Sequence, residues 1–278
     1  MHTVSVIIPT WNRAELIEKS IRSVLDQTLP VLEVLVCDDG STDNTEEIVM
    51  SIGDDRIKWL GGARGGRPAI PRNRGIVASK GEWLAFLDSD DEWLPDKLRK
   101  QLALAENLGC RAVCSNAHRV IINKGVTDKF LKWESERLTF HDLLSVNKVI
   151  CSSTLLHKSL FENIYGFPEE ENFKVGEDYA LWLRVATLTD FAFVSEPLVI
   201  YRDDAANSVR CDLVDELMTR VQVFSNFVEW SENWETRKRF VRSAKIQAMK
   251  DYVRSKAGHA LRPIKKMKRF LLDKYKSG

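Results

Sequence analysis

The sequence predicts an α/β fold in which helices cover both faces of a doubly wound, mixed sheet, followed by a helical C-terminal extension. Over roughly the first 105 residues, short β-branched or apolar runs alternate with amphipathic helical patterns, and this alternation is typical of such a sheet. An apolar fraction of 44% with eight tryptophans is sufficient for a large core. From about residue 212 onward the patterns indicate helices only.

In the first part of the chain, strands and helices are predicted in alternation. The first strand is short and β-branched, which is typical of a central strand. The helix after it has apolar residues at helical spacing, namely Leu16, Ile17, Ile21, Val24 and Leu25. The predicted strands are residues 3–9, 32–37, 57–60 and 82–87, and the predicted helices are residues 14–26, 45–52 and 73–78.

A loop over residues 61–71 interrupts this alternation, because the segment contains four glycines, two prolines and two arginines. The second half of the chain has weaker patterns. Its predicted helices are residues 95–109, 141–147 and 177–187, and its predicted strands are residues 112–122, 153–157 as an edge strand, 191–194 and 198–201. We therefore divide the chain into residues 1–105, 106–210 and 211–278.

Composition restricts the possible partners and location. The formal net charge is only +1, so the chain as a whole is not a polycation that binds nucleic acid. Five cysteines without paired zinc-type spacing indicate buried reduced thiols, which fits a reducing cytoplasm. No signal-peptide pattern and no apolar run of about 18 residues is visible. We therefore expect a cytoplasmic protein.

Three acids follow directly after the predicted strand 82–87, at Asp88, Asp90 and Asp91. Acids at the end of a buried strand are costly unless a cation or a hydrogen-bond donor compensates them. Hard divalent cations prefer such carboxylate oxygens and often bridge to substrate phosphates. The alternative interpretation is a solvated loop that caps the helix beginning near Pro95, since acids are common at helix starts.

Polar residues also end the other predicted strands of the first part. Ligands of open α/β sheets bind beyond the carboxyl ends of the strands, so a shared site is predicted there. The candidate residues at these ends are Thr10, Asp38, Asp39, Asp88 and Asp90. Arg72, in the loop region, can face a nucleobase or a diphosphate. Neither a G-x-G-x-x-G fingerprint nor a P-loop is present, so side-chain acids and a metal would hold the nucleotide.

Six ordered segments resemble the family-2 glycosyltransferases of the GT-A fold. They are SVIIPTWNR at residues 5–13, CDDGSTD at 37–43, RNRGI at 72–76, GEW at 81–83, FLDSDD at 86–91 and GEDYALWLR at 176–184. The match covers roughly residues 3–205 at the usual spacings of the family. The resemblance implies a nucleotide-sugar-binding half over residues 1–105, an acceptor-binding and catalytic-base half over 106–210, and a helical basic extension over 211–278.

The resemblance also implies roles for individual residues. The backbone at Thr10 lies near the base, Asp39 with Asp38 beside it recognises uridine, and Arg72 braces the nucleotide. Asp88 and Asp90 match the D-x-D pair, with Asp90 as ligand of Mn²⁺ or Mg²⁺ and Asp88 nearer the ribose. Asp178 matches the base that deprotonates the acceptor hydroxyl. Taken alone, Asp178 would be interpreted as an N-cap of the helix containing Tyr179, and the set of motifs reverses that interpretation.

The implied reaction is a single inverting displacement. A divalent ion offsets the charge on the leaving nucleotide diphosphate, and one carboxylate suffices as general base. The expected partners are a nucleotide-sugar donor, by family default a UDP-sugar, and a saccharide or lipid-linked saccharide acceptor. Such stand-alone members usually act in cell-surface polysaccharide or lipid-linked oligosaccharide synthesis. Alternatives are a sugar nucleotidyltransferase or a non-catalytic nucleotide-sugar-binding protein.

Two departures from the family pattern affect these expectations. The Q-x-x-R-W segment of processive members does not occur, which predicts transfer of one sugar per binding event. Many members carry Tyr-Arg-x-His where this chain has Tyr201, Arg202, Asp203 and Asp204. Asp204 therefore replaces a histidine that is often near the metal. Either Asp204 ligates the metal or the site lacks that ligand.

The last segment of the chain is strongly basic. Residues 254–278 contain nine Lys or Arg and one acid. Within residues 261–275, apolar side chains recur on roughly one face of a predicted helix, and such a helix can lie on an anionic membrane. This would make the protein peripheral at the inner face of the plasma membrane. The alternative is a helix that packs on its own domain with a solvated charged face.

Overall fold

The computed structural model describes residues 2–121, 125–170, 173, 175–204, 215–231 and 237–274, with side chains through residue 256. Internal contacts divide the chain into two compact units, Met1–Cys211 and Asp212–Gly278. The predicted division of the first unit near residue 105 stays a prediction.

The first unit is an α/β structure. Among its described residues the strands are β1 (Val4–Thr10), β2 (Glu33–Asp38), β3 (Ile57–Leu60), β4 (Trp83–Phe86), β5 (Glu92–Trp93), β6 (Ala112–Ile121), β7 (Gly125–Val126), β8 (Arg137–Leu138), β9 (Leu155–His157) and β10 (Phe191–Asp203). The helices are α1 (Ile17–Leu25), α2 (Thr45–Ser51), α3 (Ala69–Ala78), α4 (Lys97–Leu108), α5 (Phe140–Ser145), α6 (Phe161–Ile164) and α7 (Glu177–Val185). Two 3-10 turns span Cys151–Ser153 and Lys158–Leu160.

These strands form one mixed sheet in the order β3-β2-β1-β4-β9-β6-β10-β5, with β7 on β6 and β8 on β10. The strands β3, β2, β1 and β4 are parallel neighbours, and β6 is parallel to β10. β9 is antiparallel to both β4 and β6. The predicted α/β fold with a mixed sheet is therefore confirmed.

Helices cover both faces of the sheet, as the alternation of side chains along β1 shows. Val6 and Ile8 belong to one buried cluster with Ile17 and Ile21 of α1. Ile7 points the other way, toward α3, where a Cβ added to Gly75 would lie 2.6 Å from the Ile7 side chain. Because neighbouring residues of a strand point to opposite faces, β1 is buried on both sides. This explains its continuous apolar sequence.

Two strand predictions in the second half are wrong. β9 was expected at the sheet edge, but it lies between β4 and β6, where its three residues pair with β4 and two of them also pair with β6. The strands predicted over 191–194 and 198–201 are one strand, β10. Register shifts between Val194, Pro197 and Val199 accommodate Pro197, which has no N–H for the ladder.

The predicted loop 61–71 is shorter than expected, because α3 begins at Ala69 with Pro68 as its N-cap residue. Pro71 lies in the first turn of α3, where a missing N–H breaks no helical hydrogen bond. The first turn of this helix therefore brings the preceding segment close to the carboxyl ends of β1 and β2.

The second unit contains α8 (Glu216–Ser231) and α9 (Lys238–Lys274) in its described part, which confirms the predicted helical extension. The two helices pack together, and Arg220 of α8 forms an ion pair of 3.0 Å with the buried Asp251 of α9. The side chains of residues 261–275, where the sequence predicts an amphipathic face, lie outside the described residues. No helix in the described ranges has the length and apolar character needed to cross a membrane.

Candidate active site

The carboxyl ends of three parallel strands meet at one edge of the sheet. Thr10 of β1 pairs in register with Asp38 of β2, and the Asp39 N–H donates to the Thr10 carbonyl at 2.9 Å. On the other side of β1, the Leu87 N–H donates to the Ile7 carbonyl at 3.1 Å, so Asp88 follows at the same edge. Thr10 Oγ1 is buried and makes no hydrogen bond to any described residue. This edge can therefore bind a polar ligand.

Asp38 builds the turn that follows β2. Its carboxylate accepts hydrogen bonds from the N–H groups of Gly40 at 2.9 Å and Ser41 at 3.0 Å. Gly40 has a φ of 79°, and a Cβ there would lie 2.9 Å from the Arg64 backbone nitrogen. Glycine at this position therefore lets the segment containing Arg64 approach β2. Contact between Asp38 and a nucleotide stays a prediction.

Asp39 is buried beneath the segment that joins β3 to α3. Its carboxylate accepts hydrogen bonds from the backbone N–H groups of Gly65 at 2.8 Å and Gly66 at 2.9 Å. The Arg64 guanidinium forms an ion pair with the same carboxylate and lies 3.8 Å from the ring centroid of Trp11. The acid that the sequence assigns to base recognition is thus fully hydrogen-bonded inside the protein.

Arg72 joins two distant acids in the interior. From α3, its Nη1 donates to Glu177 Oε1 at 2.6 Å and its Nη2 donates to Asp88 Oδ1 at 2.7 Å. Burial alone would lower the pKa of Arg72, but Cys151 and these two carboxylates outweigh burial and raise it. Arg72 therefore stays charged and holds the end of β4 against the start of α7. Its predicted contact with a nucleotide stays a prediction.

Asp88 and Asp90 form a pair of neighbouring carboxylates beyond β4. Burial raises the pKa of Asp90 and the charge of Asp88 adds to the rise, whereas Arg13, whose Nη2 is 3.7 Å from Asp90 Oδ2, lowers it. Two carboxylates that repel each other suit a hard divalent ion, which commonly takes its other ligands from phosphates and water. The pair therefore fits Mn²⁺ or Mg²⁺. Within the described ranges, no three or more His, Cys, Asp or Glu residues are grouped as a metal site.

Asp91 has a structural position that the sequence alone does not indicate. Its carboxylate is buried, accepts a hydrogen bond from the Arg202 N–H at 2.8 Å, and is bonded by the Ser152 hydroxyl. The Ser152 hydroxyl oxygen also accepts from the Asp88 N–H at 3.1 Å. Burial raises the pKa of Asp91 well above its usual value, and the charges of Asp90 and Asp88 add to the rise. Asp91 therefore ties the acidic loop to β10 and to the 3-10 turn Cys151–Ser153.

Asp178 is the second residue of α7, directly after the buried Glu177. The N-cap residue of this helix is Gly176, with a φ of 91°. The alternative in which Asp178 caps the helix is therefore wrong. Asp178 is half-buried, whereas Glu177 points inward to Arg72. Of these two neighbouring acids, Glu177 is therefore the inner one, bound to Arg72, and Asp178 is the more exposed one.

Asp88 and Asp178 both lie near the buried thiol of Cys151. Burial raises the pKa of its thiol well above the usual value, against the lowering effect of Arg72. The charges of Asp88, Asp178 and Glu177 add to this rise. All three acids are therefore near one buried thiol, and the bridge from Arg72 to Asp88 and Glu177 likewise holds the acidic loop next to the start of α7.

Asp204 follows the last residue of β10. Two residues earlier, Arg202 bonds Asp91 through its backbone, and Arg119 Nε donates to Asp203 at 2.8 Å. The end of β10 is therefore next to the acidic loop. Ligation of a metal by Asp204 stays a prediction.

Several residues of this site were not predicted as members of it. Glu177 belongs to the GEDYALWLR segment, and its position directly before Asp178 could have identified it as a site residue. Arg13 likewise follows the first strand in a quoted segment. Arg64 and Ser152 lie outside the motifs, and their contacts to Asp39 and Asp91 can be seen only in the folded chain.

The sequence model of the family described as Glycosyl transferase family 2 matches residues 5–165, which is more than half of the chain. Two relatives in Escherichia coli, WfgD and WfaP, are each named as a UDP-Glc:alpha-D-GlcNAc-diphosphoundecaprenol beta-1,3-glucosyltransferase. WfgD is 31% identical over 229 residues, covering 82% of this chain and 87% of WfgD. WfaP is 30% identical over 226 residues, covering 81% of this chain and 87% of WfaP.

A solved structure with a similar fold is that of S. aureus TarS 1-349 in complex with UDP. The TM-score is 0.67 at 21% sequence identity, and the match covers 84% of this chain and 66% of that chain. The TarS complex with UDP-GlcNAc also has a TM-score of 0.67, at 20% identity. At these identities the likeness shows the fold alone.

Proposed function

Since the chain belongs to glycosyl transferase family 2 and is therefore a glycosyltransferase, we propose that it catalyses an inverting, metal-dependent reaction. This reaction moves one sugar from a UDP-sugar to an acceptor hydroxyl. The bridge from Arg72 to Asp88 and Glu177 is the observation that carries this proposal. It fixes Asp88 next to Glu177, the residue directly before the proposed base Asp178, and so supports a shared site for donor and acceptor.

The donor would bind along the edge formed by β1, β2 and β4. Thr10 and Asp39 would contact the base, and Arg13, which lies 3.7 Å from Asp90, would contribute a positive charge near the diphosphate. Asp88 and Asp90 would hold Mn²⁺ or Mg²⁺, with Asp204 as a further candidate ligand. When bound, the ion would offset negative charge on the departing diphosphate.

Asp178 is the proposed general base. Its carboxylate takes the proton of the acceptor hydroxyl as the oxygen attacks the anomeric carbon from the face opposite the diphosphate. The bond to the diphosphate breaks as the new bond forms, and the anomeric configuration inverts. Glu177 is unsuited to this role, because it is buried and hydrogen-bonded to Arg72.

We propose a lipid-linked saccharide as the acceptor, in cell-surface polysaccharide synthesis at the inner face of the plasma membrane. The names of WfgD and WfaP, which specify a diphosphoundecaprenol acceptor, support this proposal. In α9, the side chains of Ile246, Met249, Tyr252 and Val253 are exposed. Ile246, Met249 and Val253 lie on the face opposite the buried residues Ala244, Asp251 and Ser255, and Tyr252 lies to one side of it.

Cations lie between and beside these exposed apolar side chains. Arg242, Lys245, Lys250, Arg254 and Lys256 are all exposed, and Asp251 is buried against Arg220. An apolar face bordered by cations suits an anionic membrane surface. We therefore propose that residues 242–256 of α9 contact the membrane, in addition to the predicted contact through residues 261–275.

The proposed function is tested by sugar transfer from a panel of nucleotide sugars with Mn²⁺, using wild type and Asp178→Asn. We expect transfer from a UDP-sugar by wild type and a loss of about a hundredfold or more in the variant. UDP binding by the variant should be unchanged. Equal transfer by both proteins would exclude Asp178 as the base, and no transfer from any UDP-sugar would contradict the proposed donor.

A further inference from the structure

Arg64 has an unusual combination of contacts for a partly exposed arginine. Its guanidinium forms an ion pair with Asp39 and stacks on the indole of Trp11, with 3.8 Å between Cζ and the ring centroid. A planar group that stacks on an aromatic ring and donates N–H groups to a buried carboxylate has the features of a bound nucleobase. The Trp11 side chain is itself 43% exposed, so a planar ligand can reach it.

We propose that Arg64 occupies the place of the nucleobase in the donor-free protein and is exchanged for the base when the nucleotide sugar binds. This inference rests on the proposed function, since it requires a nucleotide donor at Asp39. Arg64 is then a specificity-determining residue, because a ligand must replace both the stacking and the hydrogen bonding that Arg64 provides.

The burial of Asp39 explains why such a replacement is needed. Asp39 is 3% exposed, and without Arg64 its buried carboxylate would keep only two backbone N–H donors and no cation, which is costly. Arg64 compensates the charge of Asp39 as long as no nucleotide sugar is bound. A base that presents a ring N–H, such as uracil through N3, can donate a hydrogen bond to Asp39 in place of Arg64. A base whose N3 is methylated cannot, and Arg64 would keep its place.

The position of Arg64 in the chain allows this exchange. It lies between β3 and α3, and its side chain is 42% exposed, so it can turn into solvent without disturbing the core. The adjacent N–H groups of Gly65 and Gly66 bond Asp39 through the backbone. These bonds do not depend on the Arg64 side chain, so the segment stays attached to Asp39 when Arg64 leaves.

The first test measures the affinity of uridine, which has no phosphate that could attract a released arginine. Arg64→Ala should bind uridine about three- to tenfold more tightly than wild type, because the base no longer displaces an ion pair and a cation–π contact. Lys58→Ala removes one positive charge from β3 without touching Asp39 and should leave the affinity unchanged. Uridine binding by Arg64→Ala that is equal to or weaker than wild type would overturn the inference.

The second test follows Arg64 directly by NMR of its side-chain N–H group, identified by its loss in Arg64→Ala. On addition of uridine the signal should move to the position of a solvated arginine, whereas N3-methyluridine should leave it unchanged. An unchanged signal in a protein that binds uridine would overturn this inference and leave the proposed function intact. Failure of both proteins to bind UDP would contradict the proposed donor, and this inference with it.

Discussion

Arg72 donates a hydrogen bond of 2.6 Å to Glu177, which is 105 positions away in the chain. Both side chains are buried, and the second terminal nitrogen of Arg72 holds Asp88. Two segments that are remote in sequence are thereby fixed to one guanidinium. The position of the D-x-D loop relative to the start of α7 depends on this contact.

Removal of Glu177 should therefore destabilise the protein strongly. Glu177→Ala leaves the buried Arg72 with only one of its two carboxylate partners, and we expect the free energy of unfolding to fall by about 3–5 kcal/mol in urea titrations. Glu177→Gln keeps an oxygen acceptor for Arg72 and should cost less. As the control, Glu196→Ala removes an exposed ion pair with Lys100 and should change stability by less than about 1 kcal/mol. Equal effects of Glu177→Ala and Glu196→Ala would contradict the assigned role of the bridge.

A metal prediction concerns Asp90. If Asp88 and Asp90 hold the divalent ion, Mn²⁺ should tighten UDP binding to wild type by about tenfold or more. Asp90→Asn should bind UDP with an affinity that neither Mn²⁺ nor EDTA changes. As the control, Asp55→Asn should retain the full effect of Mn²⁺ on UDP binding, because Asp55 lies before the start of β3, at the end of that strand away from the site. A metal effect that survives in Asp90→Asn would show that the ion is held elsewhere.

The pH dependence of stability should reflect Lys97. This lysine of α4 is fully buried, donates to Gln101 Oε1 at 2.7 Å, and its Nζ lies 3.9 Å from the Trp93 ring centroid. Burial lowers its pKa well below the usual 10.5. Between the lowered value and about 10.5 the unfolded chain binds more protons than the folded one. The free energy of unfolding therefore rises with pH, by at most about 1.4 kcal/mol per pH unit.

Lys97→Met should remove this contribution, so that its free energy of unfolding rises less steeply than that of wild type in urea titrations at several pH values from neutral to alkaline. Lys100→Met, on the exposed side of the same helix, should retain the wild-type slope. The same slope in Lys97→Met and wild type would show that Lys97 does not titrate abnormally.

Features that depend on contacts between residues near in sequence can be predicted from the sequence, whereas features that depend on contacts between distant residues cannot. The alternating strands and helices around β1, β2 and β4 were predicted, because burial on both faces gives continuous apolar runs. The central place of β9 was not, since a three-residue strand carries no local sign of its two partners. For the same reason the contact from Glu177 to Arg72 and the ion pair of Arg64 with Asp39 became visible only in the folded chain.

Membrane contact through α9 is tested by sedimentation with lipid vesicles. Wild type should bind vesicles containing phosphatidylglycerol and much less those of phosphatidylcholine alone, because cations border the apolar face. Met249→Glu combined with Val253→Glu should reduce binding by about tenfold or more, since both changes place charge on that face. Met249 is 70% exposed, and Met50 of α2 is 62% exposed, so Met50→Glu is a matched control that should bind like wild type. Equal binding by the double variant would exclude this face.

The central claim is that the donor acids and Asp178 line one cleft around Arg72. The most direct measurement is a crystal structure with UDP and Mn²⁺, in which anomalous scattering locates the ion. We predict the ion at Asp88 and Asp90, the diphosphate beside it, and the Asp178 carboxylate facing the same cavity. An ion bound away from Asp90, or an Asp178 carboxylate that faces a different surface from the diphosphate, would contradict the account.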